Sequence, residues 1–370
     1  MRVLIVPDKF KGTLTAAAAA ESLARGWRKA RPNDFLDLLP VSDGGDGFGE
    51  TIRELIQSTV QTVPTVDAAH RPCRAKWWWS PKTKTALIES AMVVGLAMLP
   101  ARKFRPFELD TAGLGVLLRA AAAKGATHCI VGIGGSATND GGFGLAQAMG
   151  WKFLDRDGKP ILQWTGLPNL RKIQAPKRRR WFTELLVAVD VQNPLLGSRG
   201  ATRVYGPQKG LRPRDFAHSE QCLRRLAEVV RDDLGLDLAR LPGAGAAGGL
   251  GFGLAAFLGA RLEPGFAVFA RHARLEQRLR LADLVITGEG ALDRSTLMGK
   301  GVGEIAKQCR QLGIPCIGVA GTIERNAKIT RSFTSIAALT QLTSGENAKA
   351  KAALWLERLA EQIANQWPRD

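Results

Sequence analysis

The chain predicts an α/β protein built on parallel sheet, and three observations carry that prediction. Both ends alternate short, β-branched apolar runs with amphipathic stretches of helical period. The apolar runs close on loops of glycine and acid: DKFKG (8–12), SDGGDG (42–47), TGEG (287–290) and VAGT (319–322). The 370 residues suffice for two domains or one large α/β body.

At the N-terminal end, Arg2–Pro7 reads as a buried strand ending at Asp8. Thr13 and Thr15 can cap an alanine-rich helix that runs to about Ala30 and stops before Pro32. A strand over Phe35–Val41 leads into SDGGDG, and a helix follows over roughly 49–58. The C-terminal end repeats the rhythm: a strand at Leu284–Thr287, a helix over 301–312, strands at Pro315–Ala320 and Ser335–Leu339, and an amphipathic closing helix over 345–366. The middle is less regular. Short β-runs near 61–67, 73–79 and 85–89 carry Trp77-Trp78-Trp79, which read as packing residues. A helix near 107–123 precedes the apolar run 128–131, and Leu185–Val189 is a strand ending at Asp190. Helices are expected near 215–234 and 247–259, with no internal repeat and no low-complexity linker.

Composition narrows the partners. Lys and Arg outnumber Asp and Glu by 52 to 34, for a net charge of +18, which favours contact with anions. A solvated basic surface accounts for the balance most simply. The densest run, Lys177-Arg178-Arg179-Arg180, abuts Trp181-Phe182 and reads as a loop. Zinc-finger spacing, an RNP-type aromatic box and a basic region with heptads are all missing, so nucleic-acid binding is disfavoured. Five cysteines form no CxxC, and four histidines form no i, i+4 pair, which argues against a zinc site and a disulfide framework. The start, MRVLIVPDKF, carries too short an apolar run for a signal peptide. Residues 241–260 hold no charge, but seven glycines make a loop feeding a buried helix the better reading than a membrane span. The expected setting is the cytoplasm.

Two stretches fit a dinucleotide fingerprint, Gly132–Ala137 and Gly243–Gly248. The second follows Arg240-Leu241-Pro242 rather than a strand. The first follows a strand, but Asp140 stands where the helix should start; an acid there caps a helix and repels a pyrophosphate. The ribose-binding acid such a site needs would be Asp155 or Asp157, and both sit in the turn Asp-Arg-Asp-Gly. No Walker loop occurs, since Gly299-Lys300 is followed by Gly301. What remains is a repeated pairing of carboxylates with glycines and lysines: Asp8 with Lys9 and Lys11, Asp43 and Asp46, Asp140, Asp190 before Asn193, Glu289 and Asp293 before Lys300, and Lys209 in GPQKG. Phosphoryl transfer uses this inventory, with acids for magnesium, lysines and backbone N–H groups for phosphate, and a carboxylate to receive a hydroxyl proton. Each acid alone is as readily a cap or turn residue; several at strand ends together point to a site. Glu89, ending a strand at 85–88, is balanced between a surface residue and a site residue.

These motifs together resemble the bacterial glycerate kinase family, of the glycerate 2-kinase type without a Walker loop. The resemblance rests on VPDKFKGTLTA (6–16), SDGGDG (42–47), GIGGSATNDGG (132–142), VDVQNPLLGSRGATRVYGPQKG (189–210), LPGAGAAGGLG (241–251) and TGEGALDRSTLMGKG (287–301). It implies a two-domain α/β enzyme with one Rossmann- or flavodoxin-like parallel sheet built from both chain ends, residues 1–70 plus 282–370. A mixed α/β domain over 71–281 would be inserted, with the active site in the cleft between the two. It also implies transfer of phosphate from ATP to D-glycerate, giving 2-phosphoglycerate, with magnesium. The chain departs from the family pattern at Lys9, at 109–115 where only Thr111 survives of a threonine-rich stretch, and at Ala291, Met298 and Gly301-Val302.

On that resemblance Asp190 is the expected general base, with Asp293 the alternative and Lys11 beside them in catalysis. Gly134, Gly135, Ser136, Asn139, Asp140, Asn193 and Lys209 are expected at glycerate or the transferring phosphate. Asp8, Gly288, Glu289 and Lys300 are expected at the nucleotide, and Asp43 and Asp46 at the metal. Two other readings stay open: a kinase for a different small hydroxy acid, and a non-catalytic relative that binds anions or nucleic acid. The expected partners are small molecules, ATP and D-glycerate, with no membrane and an open oligomeric state.

Overall fold

The computed structural model describes residues 1–42, 47–100, 103–294, 296, 301–324 and 326–368. The fold is mixed α/β, and the chain divides into two compact units, Met1–Asp43 with Phe269–Asp370, and Gly44–Val268. Both boundaries fall earlier than the expected 70/71 and 281/282. The reason on the first side is pairing: Thr59–Val66 is antiparallel to Pro72–Ser80 in the second unit's sheet. On the second side, Arg278, in the helix Leu275–Arg280, forms an ion pair with Asp37 of the strand Phe35–Leu38.

The first unit holds a five-stranded, wholly parallel sheet in the order Ser335–Ala338, Cys316–Ile323, Leu284–Leu292, Arg2–Ile5, Phe35–Leu38. Alternate residues Val3, Ile5, Leu284, Ile286, Ile317 and Val319 enter one core with Leu23, Trp27, Leu356 and Leu359. The intervening Leu4, Val6 and Val285 are also buried, because a parallel sheet is covered on both faces. The helix Ala16–Ala30 starts at Thr15, whose hydroxyl accepts from the Ala18 N–H at 3.1 Å; Thr13 instead donates to the Phe10 carbonyl. This helix packs on Ala352–Gln366 so closely that a Cβ on Gly26 would meet the Glu357 carbonyl oxygen at 2.0 Å. Arg25 and Lys29 both pair with Glu357, and Arg31 donates to the carbonyls of Ala364, Trp367 and Pro368 at the end of the closing helix. The two chain ends are therefore fastened to each other.

The second unit holds a six-stranded sheet in the order Arg261–Pro264, Glu184–Val189, His128–Gly132, Thr85–Glu89, Pro72–Ser80, Thr59–Val66. The first four strands are parallel and the last two antiparallel. Glu89 pairs with Gly132 and Gly132 with Ala188, so the segments that begin at Ser90, Ile133 and Asp190 leave along one edge. All three tryptophans of Trp77–Trp79 are buried although neighbours on a strand face opposite ways. Trp77 and Trp79 join the main core, while Trp78 lies under the helix Phe48–Leu55, where a Cβ on Gly49 would stand 2.5 Å from its ring.

Several elements differ from the periodic reading. The helix expected near 107–123 begins at Ala112, because Asp110 accepts from the Ala112 N–H and breaks it from a short 3-10 turn at Pro106–Glu108. The tail forms two helices, Gly345–Ala350 and Ala352–Gln366, separated at Lys351. A two-stranded antiparallel ribbon pairs Lys152–Leu154 with Lys172–Gln174, and a strand at Arg261–Pro264 closes the sheet. Three- and four-residue strands leave too few alternations to stand out from a loop. Among the described residues, no helix is long and apolar enough to cross a membrane.

Candidate active site

In the first unit, strand order reverses between Arg2–Ile5 and Leu284–Leu292, and open parallel sheets bind ligands at the carboxyl ends beside such a reversal. The fold brings Asp8, Lys11, Gly288, Glu289 and Asp293 to that end. The Asp8 N–H donates to the Gly288 carbonyl at 2.8 Å, and a Cβ on Gly290 would stand 3.1 Å from the Lys11 backbone nitrogen. Gly288 is required by close approach, since a Cβ there would meet the Val319 carbonyl oxygen at 2.1 Å. Glu289 Oε1 accepts from the Thr296 hydroxyl at 2.7 Å, and the same hydroxyl accepts from the Asp293 N–H at 3.1 Å. One threonine thus holds the Glu289 carboxylate and the backbone of Asp293. Lys11 is exposed. Lys300, Asp43 and Asp46 lie outside the described residues.

In the second unit the loop 132–142 leaves the central strand and is pinned by a second glycine segment. Ala247, Gly248 and Gly249 are successively left-handed, with φ of 55°, 71° and 87°. That path lets the Gly248 carbonyl accept from the Gly141 N–H at 3.1 Å, and a Cβ on Gly248 would stand 1.9 Å from the Thr138 carbonyl oxygen. Gly142 and Gly253 approach just as closely, with a Cβ on Gly142 falling 2.7 Å from the Gly253 Cα. The residues that follow the first fingerprint-like stretch thus meet the end of the second, Gly248, backbone against backbone.

Asp140 and Asn139, expected at the ligand, face the protein instead. Both are fully buried. Asp140 Oδ2 accepts from the Thr111 N–H (3.0 Å), the Thr111 hydroxyl (2.8 Å) and the Gly144 N–H (3.0 Å), and Oδ1 from the Gly142 N–H (3.2 Å). It occupies the N–H groups at the start of the helix Phe143–Ala148, where a pyrophosphate would have to bind. Burial, with the charge of Asp110, pushes its carboxyl up to about 6, against the hydrogen bonds from Gly144 and Thr111. Thr111, the surviving threonine of its stretch, is thus a support for Asp140. The Asn139 amide donates to Ser219 (2.8 Å) and Thr202 (3.3 Å), tying the loop to the helices Phe216–Leu234 and Ala201–Tyr205.

What the loop presents is Gly134, Gly135 and Ser136. The N–H groups of these three residues meet no acceptor among the described residues. Lys209, only 6% exposed, donates from Nζ to the Thr138 carbonyl at 2.6 Å and reaches Ser136 Oγ at 3.5 Å. Among the described residues its ammonium has no carboxylate within ion-pair distance; burial pulls it down to about 7, and the charge of Asp140 opposes this. On the neighbouring strand, Asp190 follows Val189 and is exposed. Its charge, after burial, raises the phenol of Tyr205 to about 12. Tyr205 donates to Asn193 Oδ1 at 2.6 Å, while Asn193 Nδ2 donates to the Arg199 carbonyl at 2.7 Å. Asn193 is accordingly engaged at both ends of its amide. Tyr205 escaped the sequence reading, although it is the chain's single tyrosine and sits four residues before Lys209. Glu89 is buried and accepts from the Gly49 N–H at 2.7 Å, which holds the helix that follows SDGGDG.

Comparison with known proteins gives a consistent pattern. The model of the glycerate kinase family matches residues 3–368. The chain is 38% identical over 368 residues to a glycerate kinase of Halalkalibacterium halodurans, covering 98% of this chain and 97% of that one. It is 37% identical over 350 residues to the glycerate 2-kinase of Escherichia coli K12, covering 93% and 91%. A crystal structure assigned to glycerate kinase 2 of Salmonella typhimurium LT2 superposes with a TM-score of 0.86 at 35% identity, covering 98% of this chain and 97% of that one.

Proposed function

The chain belongs to the glycerate kinase family, and from that premise we propose that it transfers the γ-phosphoryl group of ATP to the C2 hydroxyl of D-glycerate, giving ADP and 2-phosphoglycerate. The observation that carries the reading is Lys209: an ammonium buried beside Ser136 with no carboxylate partner among the described residues, at a loop whose Gly134–Ser136 N–H groups meet no acceptor among them. A buried cation without a counter-ion is costly, and an anionic substrate relieves that cost on binding. A carboxylate or phosphoryl oxygen fits this cradle, with glycines that let it come close to the backbone.

Phosphoryl transfer asks the protein mainly for positioning and for charge stabilisation. In this reading Lys209, Ser136 and the Gly134–Ser136 N–H groups hold the acidic substrate. Asp190, at the end of the adjacent strand, receives the proton of the attacking hydroxyl. Tyr205 and Asn193 brace the segment between Asp190 and Lys209. Asp8, Lys11, Gly288 and Glu289 serve the nucleotide, and Lys300, Asp43 and Asp46 complete the set. Among the described residues no three of His, Cys, Asp and Glu are grouped for a metal, and magnesium asks for fewer, taking one or two carboxylates with substrate phosphates. The oxygen donors of Asp8, Glu289 and Asp293 suit it. Bound magnesium would neutralise phosphate charge; the residues named do the rest.

The deciding experiment incubates purified protein with ATP, magnesium and D-glycerate and follows ADP, with phosphorus NMR to identify the product. Glycerate-dependent ADP release with 2-phosphoglycerate is expected. No glycerate-dependent release sinks the proposal. A second reading, a different small hydroxy acid, draws on Lys9 in DKFKG, and a substrate panel in the same assay tests it.

A further inference from the structure

The second unit carries a cavity of about 400 Å³ at the end of its sheet opposite to the glycine loop. Trp151, Phe182, Leu185 and Phe257 line its floor, and Arg179 and Arg180 its rim. Phe182 and Leu185 flank the start of the strand Glu184–Val189, whose far end carries Asp190. The rim belongs to the run Lys177–Arg180, and among the described residues none of these four cations is ion-paired. Arg261 on the neighbouring strand, by contrast, is neutralised by Glu184 and Glu263. The rim arginines are also held in place. Arg180 donates to the carbonyls of Phe182 (3.3 Å) and Thr183 (2.9 Å), Arg178 stacks 4.2 Å over Trp181, and Arg179 lies 5.8 Å over Trp151. Trp151 is only 5% exposed, and among the described residues the buried indole N–H groups of Trp151 and Trp181 meet no acceptor.

An apolar floor and fixed cations at the mouth, unpaired among the described residues, call for one kind of occupant. We propose that this cavity binds a small organic anion, a monocarboxylate with a hydrocarbon body. Its body lies along the apolar lining of the cavity, and its carboxylate meets Arg179 and the remaining donors of Arg180. The volume is that of a small-molecule site. The inference does not depend on the kinase reading.

Calorimetric titration of the full chain with octanoate tests it. Saturable binding at one site per chain is expected, unchanged by saturating D-glycerate and ATP and absent with acetate. Arg179→Glu, at an exposed position, should weaken it at least about tenfold, the loss of one charge-assisted contact. Lack of saturable binding, displacement by D-glycerate, equal binding of acetate, or full affinity in Arg179→Glu would each overturn the proposal. Salt-steep binding of duplex DNA that Arg179→Glu abolishes, without octanoate binding, would also overturn it and make the loop a nucleic-acid contact.

Discussion

Lys209 donates to the carbonyl oxygen of Thr138 at 2.6 Å, across 71 residues of sequence, and this bond turns a surface-type cation into part of the glycine loop. The loop's carbonyl fixes the ammonium, and in the same loop the N–H groups of Gly134–Ser136 meet no acceptor among the described residues. Lys209→Met should lower kcat/KM for D-glycerate about a hundredfold, mostly through KM, as expected for losing a buried charged contact to substrate.

The same lysine predicts a pH dependence. Its ammonium ordinarily titrates at 10.5 and is lowered to about 7 by burial. Binding an anion needs the charged form, so KM should rise with pH above about 7, approaching tenfold per unit, and be flat in Lys209→Met. Between about 7 and 10.5 the unfolded chain holds this proton and the folded chain does not, so the group's destabilising effect should fade as pH rises. KM profiles of the two proteins check the first statement, and urea midpoints the second.

Asp190→Asn should lower kcat by roughly 10²–10⁴-fold with little change in KM, the usual contribution of a general base. Tyr205 supplies an independent readout, because it is the chain's single tyrosine and Asp190 helps to raise it to about 12. Tyrosinate absorbance in Asp190→Asn should appear at lower pH than in the wild type. Near-normal turnover would move the base to Asp293.

Asp140→Ala strips acceptors from the Thr111, Gly142 and Gly144 N–H groups and from the Thr111 hydroxyl. Urea unfolding should show a loss of about 3–5 kcal/mol, the range for orphaning buried partners of a charge. With the folded carboxyl raised from 3.8 to about 6, its favourable contribution is complete below 3.8 and lost as pH rises through about 6. Asp140→Asn should therefore lack the decline in stability that the wild type shows over that window.

Gly248→Ala combines a left-handed backbone with a Cβ placed 1.9 Å from the Thr138 oxygen. It should cost about 3 kcal/mol or more, the left-handed conformation adding to overpacking against backbone. Gly235→Ala is the control: φ is +70° there too, but nothing lies within 4 Å, so about 1 kcal/mol is expected. Equal losses in the two variants would remove the loop contact from the account.

Fold and site were legible to different depths. Both βαβ rhythms were readable because buried parallel strands and amphipathic helices impose their periods on the residues, as in Arg2–Ile5, Ala16–Ala30 and Leu284–Leu292. The tripled tryptophan read as packing, yet nothing local said that Phe48–Leu55 would cover its second face. In GIGGSATNDGG the polar residues were visible as a group, but their partners were not. Asn139 answers to Ser219, Asp140 to Thr111, and Ser136 to Lys209, each brought from a distant segment.

By itself the sequence determined the α/β class, the strand-end loops and the set of side chains able to handle phosphate. Periodicity and loop chemistry are local, and local rules suffice to read them. The tertiary structure alone decided which polar residues look inward and which remain for a ligand. Asp140 and Asn139 satisfy buried donors and hydroxyls, while Lys209 stands beside Ser136 with no carboxylate paired to it among the described residues. That division depends on burial and on partners far along the chain, and on Gly248 having no side chain where two backbones meet.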